Sequence, residues 1–216
     1  MLLTPQEADA IEARIARVEA RTGADVVTAV VGRSDSYPEL AWKAFALGAV
    51  VAALVVVVLD AWRPEWATVH TTWFDVVPIL AAGALSALGA ITIPEYGRLF
   101  LDRVRSAGEV RQYAQSLFLE RQLSRTRSRH GVLVLASLFE RKVEIVADVG
   151  FDGRVDAAAW DEAIEAMTPL LAAARPAEAL LRALERIEAL LTARGFVAGG
   201  AGSELSNRPI DEDGAT

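Results

Sequence analysis

Three aspartates at four-residue intervals, Asp148, Asp152 and Asp156, bracket a turn that contains Gly150 and Gly153. Hard cations such as Ca²⁺ and Mg²⁺ take several oxygen ligands, which closely spaced carboxylates and loop carbonyls can supply. A divalent cation is therefore the one cofactor these residues could hold. The spacing is not that of an EF-hand, whose twelfth position carries a bidentate glutamate. A plainer use fits the same residues: Asp148 ends a strand, Asp152 sits in a turn, and Asp156 caps a helix. Both readings stand at this point.

The remaining chemistry-bearing residues are sparse. His70 and His130 are the only histidines, and cysteine is absent. Thiolate chemistry and cysteine-ligated metals are thereby excluded. Ser34, Ser36, Ser137 and Ser203 have no recognisable base beside them and no nucleophile elbow. No phosphate-binding loop or dinucleotide fingerprint is present, so no catalytic constellation is expected. A formal charge of −7 argues against a nucleic-acid partner. The charge is uneven, with eight arginines against three acids over residues 98–129. Arg121, Arg125 and Arg129 are expected on one helical face, where anionic lipid headgroups could meet them.

The elements that must position these residues begin with Thr4-Pro5-Gln6-Glu7, which has the form of a capping box with proline at the first helical position. Ala8, Ile11, Ile15 and Val18 then recur at helical spacing, and residues 25–33 (DVVTAVVGR) read as a strand. Met1 opens an acidic amphipathic pattern, so no cleaved leader is expected. Residues 44–59 (AFALGAVVAALVVVVL) and 76–93 (VVPILAAGALSALGAITI) are uncharged. With their flanks, each is long enough to cross about 30 Å of hydrocarbon. Trp42, Trp62, Trp66, Trp73 and Tyr96 stand at their ends, as interfacial aromatics do. The small residues Gly83, Ala84, Ala87 and Gly89 favour close helix packing.

Residues 98–129 resume a helical pattern with Val104, Ala107, Ala114, Leu117 and Phe118 on one side. Residues 131–138 and 142–149 read as a strand pair, with Val132, Val134 and Ala136 on one face and Leu133 and Leu135 on the other. This pair is expected at the centre of a sheet, its Asp-Gly loop at a carboxyl edge where open α/β sheets bind ligands. Two helices follow, one carrying Trp160, Ile164, Met167 and Leu171, the other Leu180, Leu184, Ile187 and Leu191. A lone first strand cannot bury its faces, so it is expected to join the pair beyond the hairpin. Both soluble parts then lie on one side of the bilayer. Arg33, Lys43, Arg98, Arg103 and Arg105 near the outer ends of the spans, against Arg63 in the connecting loop, put that side in the cytoplasm.

Thr22-Gly23-Ala24-Asp25-Val26-Val27, the stretch Arg111…Ala114…Phe118…Thr126 leading into Gly131-Val132-Leu133-Val134-Leu135, and Glu140 to Asp148 with Gly150 and Trp160 together resemble the TPM domain family. The resemblance covers residues 1–42 and about 98–195. It implies an α/β/α sandwich on a small mixed sheet, here interrupted by a two-helix transmembrane hairpin. Some family members are described as acid phosphatases or calcium-type metal binders, others as assembly or repair factors, so the resemblance implies, as the enzymatic alternative, a metal-dependent phosphatase using the Asp148, Asp152 and Asp156 loop. Val149-Gly150-Phe151-Asp152-Gly153 keeps part of the family's loop form. The expected organisation is residues 1–42 as the first part of a split domain, 43–97 as the hairpin, 98–195 as the second part, and 196–216 as a disordered acidic tail. The expected role is an inner-membrane interaction or assembly module with two spans and cytoplasmic termini. Its partners would be the bilayer and a membrane or protein partner, with the oligomeric state unspecified.

Overall fold

The computed structural model describes residues 2–62, 71–198 and 205–215. Along the chain run α1 (Pro5–Thr22), β1 (Asp25–Arg33), α2 (Glu39–Trp62), α3 (Thr71–Thr92), the one-turn α4 (Pro94–Gly97) and α5 (Arg103–Glu120). They are followed by β2 (Gly131–Ser137), β3 (Lys142–Ala147), α6 (Ala157–Ala172), α7 (Pro176–Ala193) and β4 (Ile210–Gly214). Two compact units result, one of residues 1–36 with 104–216 and the other of residues 37–103. The loop with Arg63, Glu65, Trp66 and His70 lies outside the described residues.

The first unit is an α/β/α sandwich on a four-stranded mixed sheet of order β3-β2-β1-β4. β1 runs parallel to both β2 and β4, and β3 is antiparallel to β2. Asp25 aligns with Gly131 and Val31 with Ser137, so β1 does join the strand pair beyond the insert. One face of the sheet, with Val26, Val30, Val132 and Val134, packs against α1, α6 and α7. The other, with Val27, Val31, Leu133 and Leu135, packs beneath α5. β2 is buried throughout, as strands covered on both faces must be. β3 is not central: it forms the sheet's edge and is largely half-buried.

Local chemistry accounts for the helices. The Glu7 N–H donates to Thr4 Oγ1 at 3.3 Å, and the Thr4 N–H donates back to Glu7 Oε2 at 2.8 Å. Both orphan donors at the start of α1 are thereby satisfied. Gly23, with φ 68°, closes the helix, and its N–H donates to Glu19 O at 2.8 Å. On α7, Leu180, Leu184, Ile187 and Leu191 are all fully buried. α5 departs from expectation. Its buried stripe is Ser106, Val110, Ala114, Leu117 and Phe118, while Val104 is 84% exposed and Ala107 is exposed too. Val104 precedes Ser106 by two positions, about 200° around the helix, and so faces outward.

The tail also departs from expectation. Residues 210–214 are not disordered but pair with β1, Ala29 against Ile210 and Arg33 against Gly214. An acidic sequence with little strand propensity is ordered here by tertiary contacts that composition does not reveal.

In the second unit, α2 and α3 are each long and apolar enough to cross a membrane, with mean hydropathy 2.6 and 1.7 over their best stretches. Their apolar side chains face outward, Val50 at 65% and Leu54 at 64% exposure among them, so they are not core helices of this unit. The helices meet through small residues. A Cβ on Gly48 would stand 2.7 Å from both Ala82 O and Ser86 Cβ, and one on Gly83 would stand 2.8 Å from the Phe45 ring. Ser86 Oγ donates to Ala44 O at 2.7 Å. Ala84 is exposed.

Candidate functional site

Because β3 is the antiparallel strand, its carboxyl end lies at the amino ends of β1 and β2. The Asp-Gly loop therefore sits at the opposite edge of the sheet from the carboxyl ends of the parallel strands, where open α/β sheets bind ligands. Expectation had the edge reversed.

At the loop, Asp148 is buried and heavily used. Arg129 donates Nε to Oδ2 at 2.7 Å and Nη2 to Oδ1 at 3.0 Å, and the Val149 N–H donates to Oδ1 at 2.8 Å. Burial alone would raise the Asp148 pKa, but these bonds outweigh it and hold the carboxyl below the ordinary range. Asp152 is exposed and follows the 3₁₀ turn Val149–Phe151. Asp156 occupies the N-cap position of α6, yet its side chain makes no capping bond and accepts instead from Arg194 Nη2 at 3.2 Å. Among the described residues, no group of three or more His, Asp or Glu side chains is arranged to hold a metal ion. The three aspartates are not gathered into one ligand set, and the most buried of them already neutralises a guanidinium. As arranged, they do not fit a hard divalent cation.

Gly150 is required by close approach: a Cβ there would overlap Arg129 O and lie 2.6 Å from His130 Cδ2. His130 belongs to an aromatic cluster, its ring centroid 5.2 Å from Phe151 and 5.1 Å from Phe196. Arg154 stacks over Phe196 at 3.6 Å. Burial, then the charge of Arg154, lowers the His130 pKa, which favours the neutral imidazole, and the ring packs within the aromatic cluster.

The carboxyl edge holds a group that sequence reasoning missed. Ser34 N–H donates to Glu140 Oε1 at 2.9 Å, Ser34 Oγ donates to Ser137 Oγ at 2.9 Å, and Ser137 Oγ donates to Glu140 Oε2. All three residues are buried. Leu138 and Phe139 N–H groups donate to Val31 and Gly32 carbonyls at 2.9 Å each. Both oxygens of Glu140 are used, and the Arg33 guanidinium lies 4.1 Å above the Phe139 ring. The network ties the exit of β1 to the β2–β3 turn. It offers no accessible nucleophile. A glutamate inside the polar turn Phe139-Glu140-Arg141-Lys142 carries no local sign that it will be buried beside a serine 106 positions away.

Three of the arginines are engaged with acids distant in sequence. Arg111 Nε reaches Glu144 at 3.0 Å, Arg121 Nη2 reaches Glu212 at 3.0 Å, and Arg105 Nη2 reaches Asp35 at 3.1 Å. Arg121, Arg125 and Arg129 do not share a helical face. α5 ends at Glu120, Gln122 has φ 55°, Arg125 lies in a 3₁₀ turn and Arg129 has φ 56°.

With this geometry in view, residues 98–190 match the model of a family described as the TPM domain. No curated protein matches the chain. Among solved structures, the chain is similar to the NMR structure of BA42 protein from the psychrophilic bacterium Bizionia argentinensis, with 15% identity and a TM-score of 0.57. That alignment covers 97% of this chain and 94% of the other. At this identity the likeness concerns the fold.

Proposed function

From the match of residues 98–190 to the TPM domain model, we propose that the protein is a membrane-anchored interaction or assembly module of that family. Its α2–α3 hairpin lies in the inner membrane, and its soluble unit is cytoplasmic. One observation carries the reading most: β1 pairs with β2 across the whole insert. A sheet assembled from strands on either side of the insert requires the chain to return to the face it left. Two spans allow this; one or three would not. The outward apolar side chains of α2 and α3 match hydrocarbon, the only solvent in which a Val- and Leu-covered hairpin loses nothing by exposure. Lys43, Arg98, Arg103 and Arg105 flank the spans on the side assigned to the cytoplasm. Asp148, Asp156 and Glu140 are engaged with protein donors, which favours a scaffold role over turnover.

The natural absence of cysteine makes the test direct. Ala10→Cys and Thr192→Cys should react with an impermeant maleimide only after the cytoplasmic membrane is permeabilised. His70→Cys should react once the reagent reaches that membrane's outer face. Labelling of Ala10→Cys and Thr192→Cys on opposite faces would overturn the topology. A divalent-metal-dependent phosphatase activity of the purified protein, lost in Asp152→Ala at unchanged stability, would replace the module with an enzyme.

A further inference from the structure

β4 is an unusual edge strand. After Ile210, its residues Asp211, Glu212, Asp213 and Gly214 are all of types depleted from strands, so intrinsic propensity does not hold it on the sheet. Specific donors do. The Leu2 N–H lies 2.9 and 2.8 Å from the two Asp211 oxygens, and the Leu3 N–H donates to Asp211 Oδ2 at 3.0 Å. Glu212 accepts from Tyr113 OH at 3.2 Å and from Arg121 Nη2 at 3.0 Å. Burial, reinforced by Glu212, pushes the Tyr113 phenol up to about 12, which keeps it a donor at any physiological pH. Upstream, Asn207 Nδ2 donates to Glu19 Oε2 at 2.9 Å.

The backbone is shaped for the same occupant. A Cβ on Gly32 would stand 2.7 Å from Asp213 O, and one on Gly214, at φ 86°, would overlap Arg33 O. Ile210 and Leu205 pack onto the apolar cluster beneath α5. The β1 edge thus presents an apolar seat, an amide pair for one carboxylate, an Arg–Tyr pair for the next, and a glycine where the strands approach closely. This is recognition of an extended acidic peptide by strand addition.

We infer that the edge of β1, with Leu2, Leu3, Tyr113 and Arg121, is a docking groove whose occupant in trans is the segment 205–215 of a second copy of the chain. The segment that fills the groove in cis is the one sequence whose fit is demonstrated, and every copy carries it. Two copies anchored in one membrane face would meet at high effective concentration. The inference deepens the interaction-module reading and rests on it for its biological sense. Its test reads strand exchange and leaves membrane topology untouched.

The test uses full-length chains in detergent. One variant, Asp211→Asn with Glu212→Gln, has a weakened segment and an intact groove; the other, Arg121→Ala, has an intact segment and a weakened groove. Mixing them should give mixed dimers by light scattering that neither gives alone. A fluorescent peptide of residues 205–215 should bind the first variant at least tenfold more tightly than a peptide carrying the same two substitutions. Wild-type hydrogen-exchange protection of β4 in the first variant would overturn carboxylate recognition. Equal binding of the two peptides, or no binding once β4 is shown to be released, would overturn the groove. Peptide binding without mixed dimers would overturn the second copy as occupant.

Discussion

Arg129 grips Asp148 side-on, Nε to Oδ2 at 2.7 Å and Nη2 to Oδ1 at 3.0 Å, and so clamps the approach to β2 onto the end of β3. The sign of its pH dependence follows from the depressed Asp148 pKa. The stabilisation is fully present above the ordinary carboxylate pKa of about 4, and it is lost as pH falls through the lower folded-state value. Wild type should therefore unfold at higher denaturant than Asp148→Asn at pH 7. The difference should shrink below about pH 4. Equal midpoints at pH 7 would show that the pair adds nothing.

Leu135 is fully buried on β2, between β1 and β3. Leu135→Asp puts a charge where no partner stands, and should cost about 4 kcal/mol or more, enough to unfold a marginal domain. Ile145, half-buried on the edge strand, should tolerate Asp with a loss of about 1–2 kcal/mol. Chemical denaturation of both variants checks the ranking, and a larger loss at Ile145 would contradict the observed strand order.

Thr28 is fully buried on β1, and its hydroxyl has no hydrogen-bond partner among the described residues. Thr28→Val keeps the shape and removes the stranded polar group. The variant should be more stable by about 1 kcal/mol, read as a raised unfolding midpoint.

Replacing residues 43–96 by flexible linkers should leave a protein that stays in solution without detergent and unfolds in one cooperative transition. The ends of β1 and α5 would still reach their partners, because closure entropy changes slowly with loop length. Aggregation across several linker lengths would refute a single domain split by the hairpin.

What was legible in the sequence was local. The capping box at Thr4, the α1 stripe from Ala8 to Val18 and the α7 stripe from Leu180 to Leu191 need only neighbours within a few residues, and they stand as expected. Alternation along 131–137 assigned both faces of β2 correctly. The misplacements share a physical origin in partners distant in sequence. The Asp-Gly loop was put at the wrong edge because nothing in residues 142–147 says that β3 runs against its neighbours. Glu140 takes its role from Ser34, and β4 takes its order from Leu2, Tyr113 and Arg121. On α5, a two-residue error of phase sent Val104 to the core when it points outward.

The pairing of Asp25 with Gly131 has a consequence in time. At about 5–20 residues per second, β1 leaves the ribosome roughly 5–20 s before its first partner strand exists. Throughout that wait, an apolar strand with two open edges shares the exit region with the long apolar helices α2 and α3. α1, already complete, can shield only one of its faces. Nascent chains halted between the hairpin and β2 should therefore be the most aggregation-prone species in the protein's synthesis and the one most dependent on a chaperone.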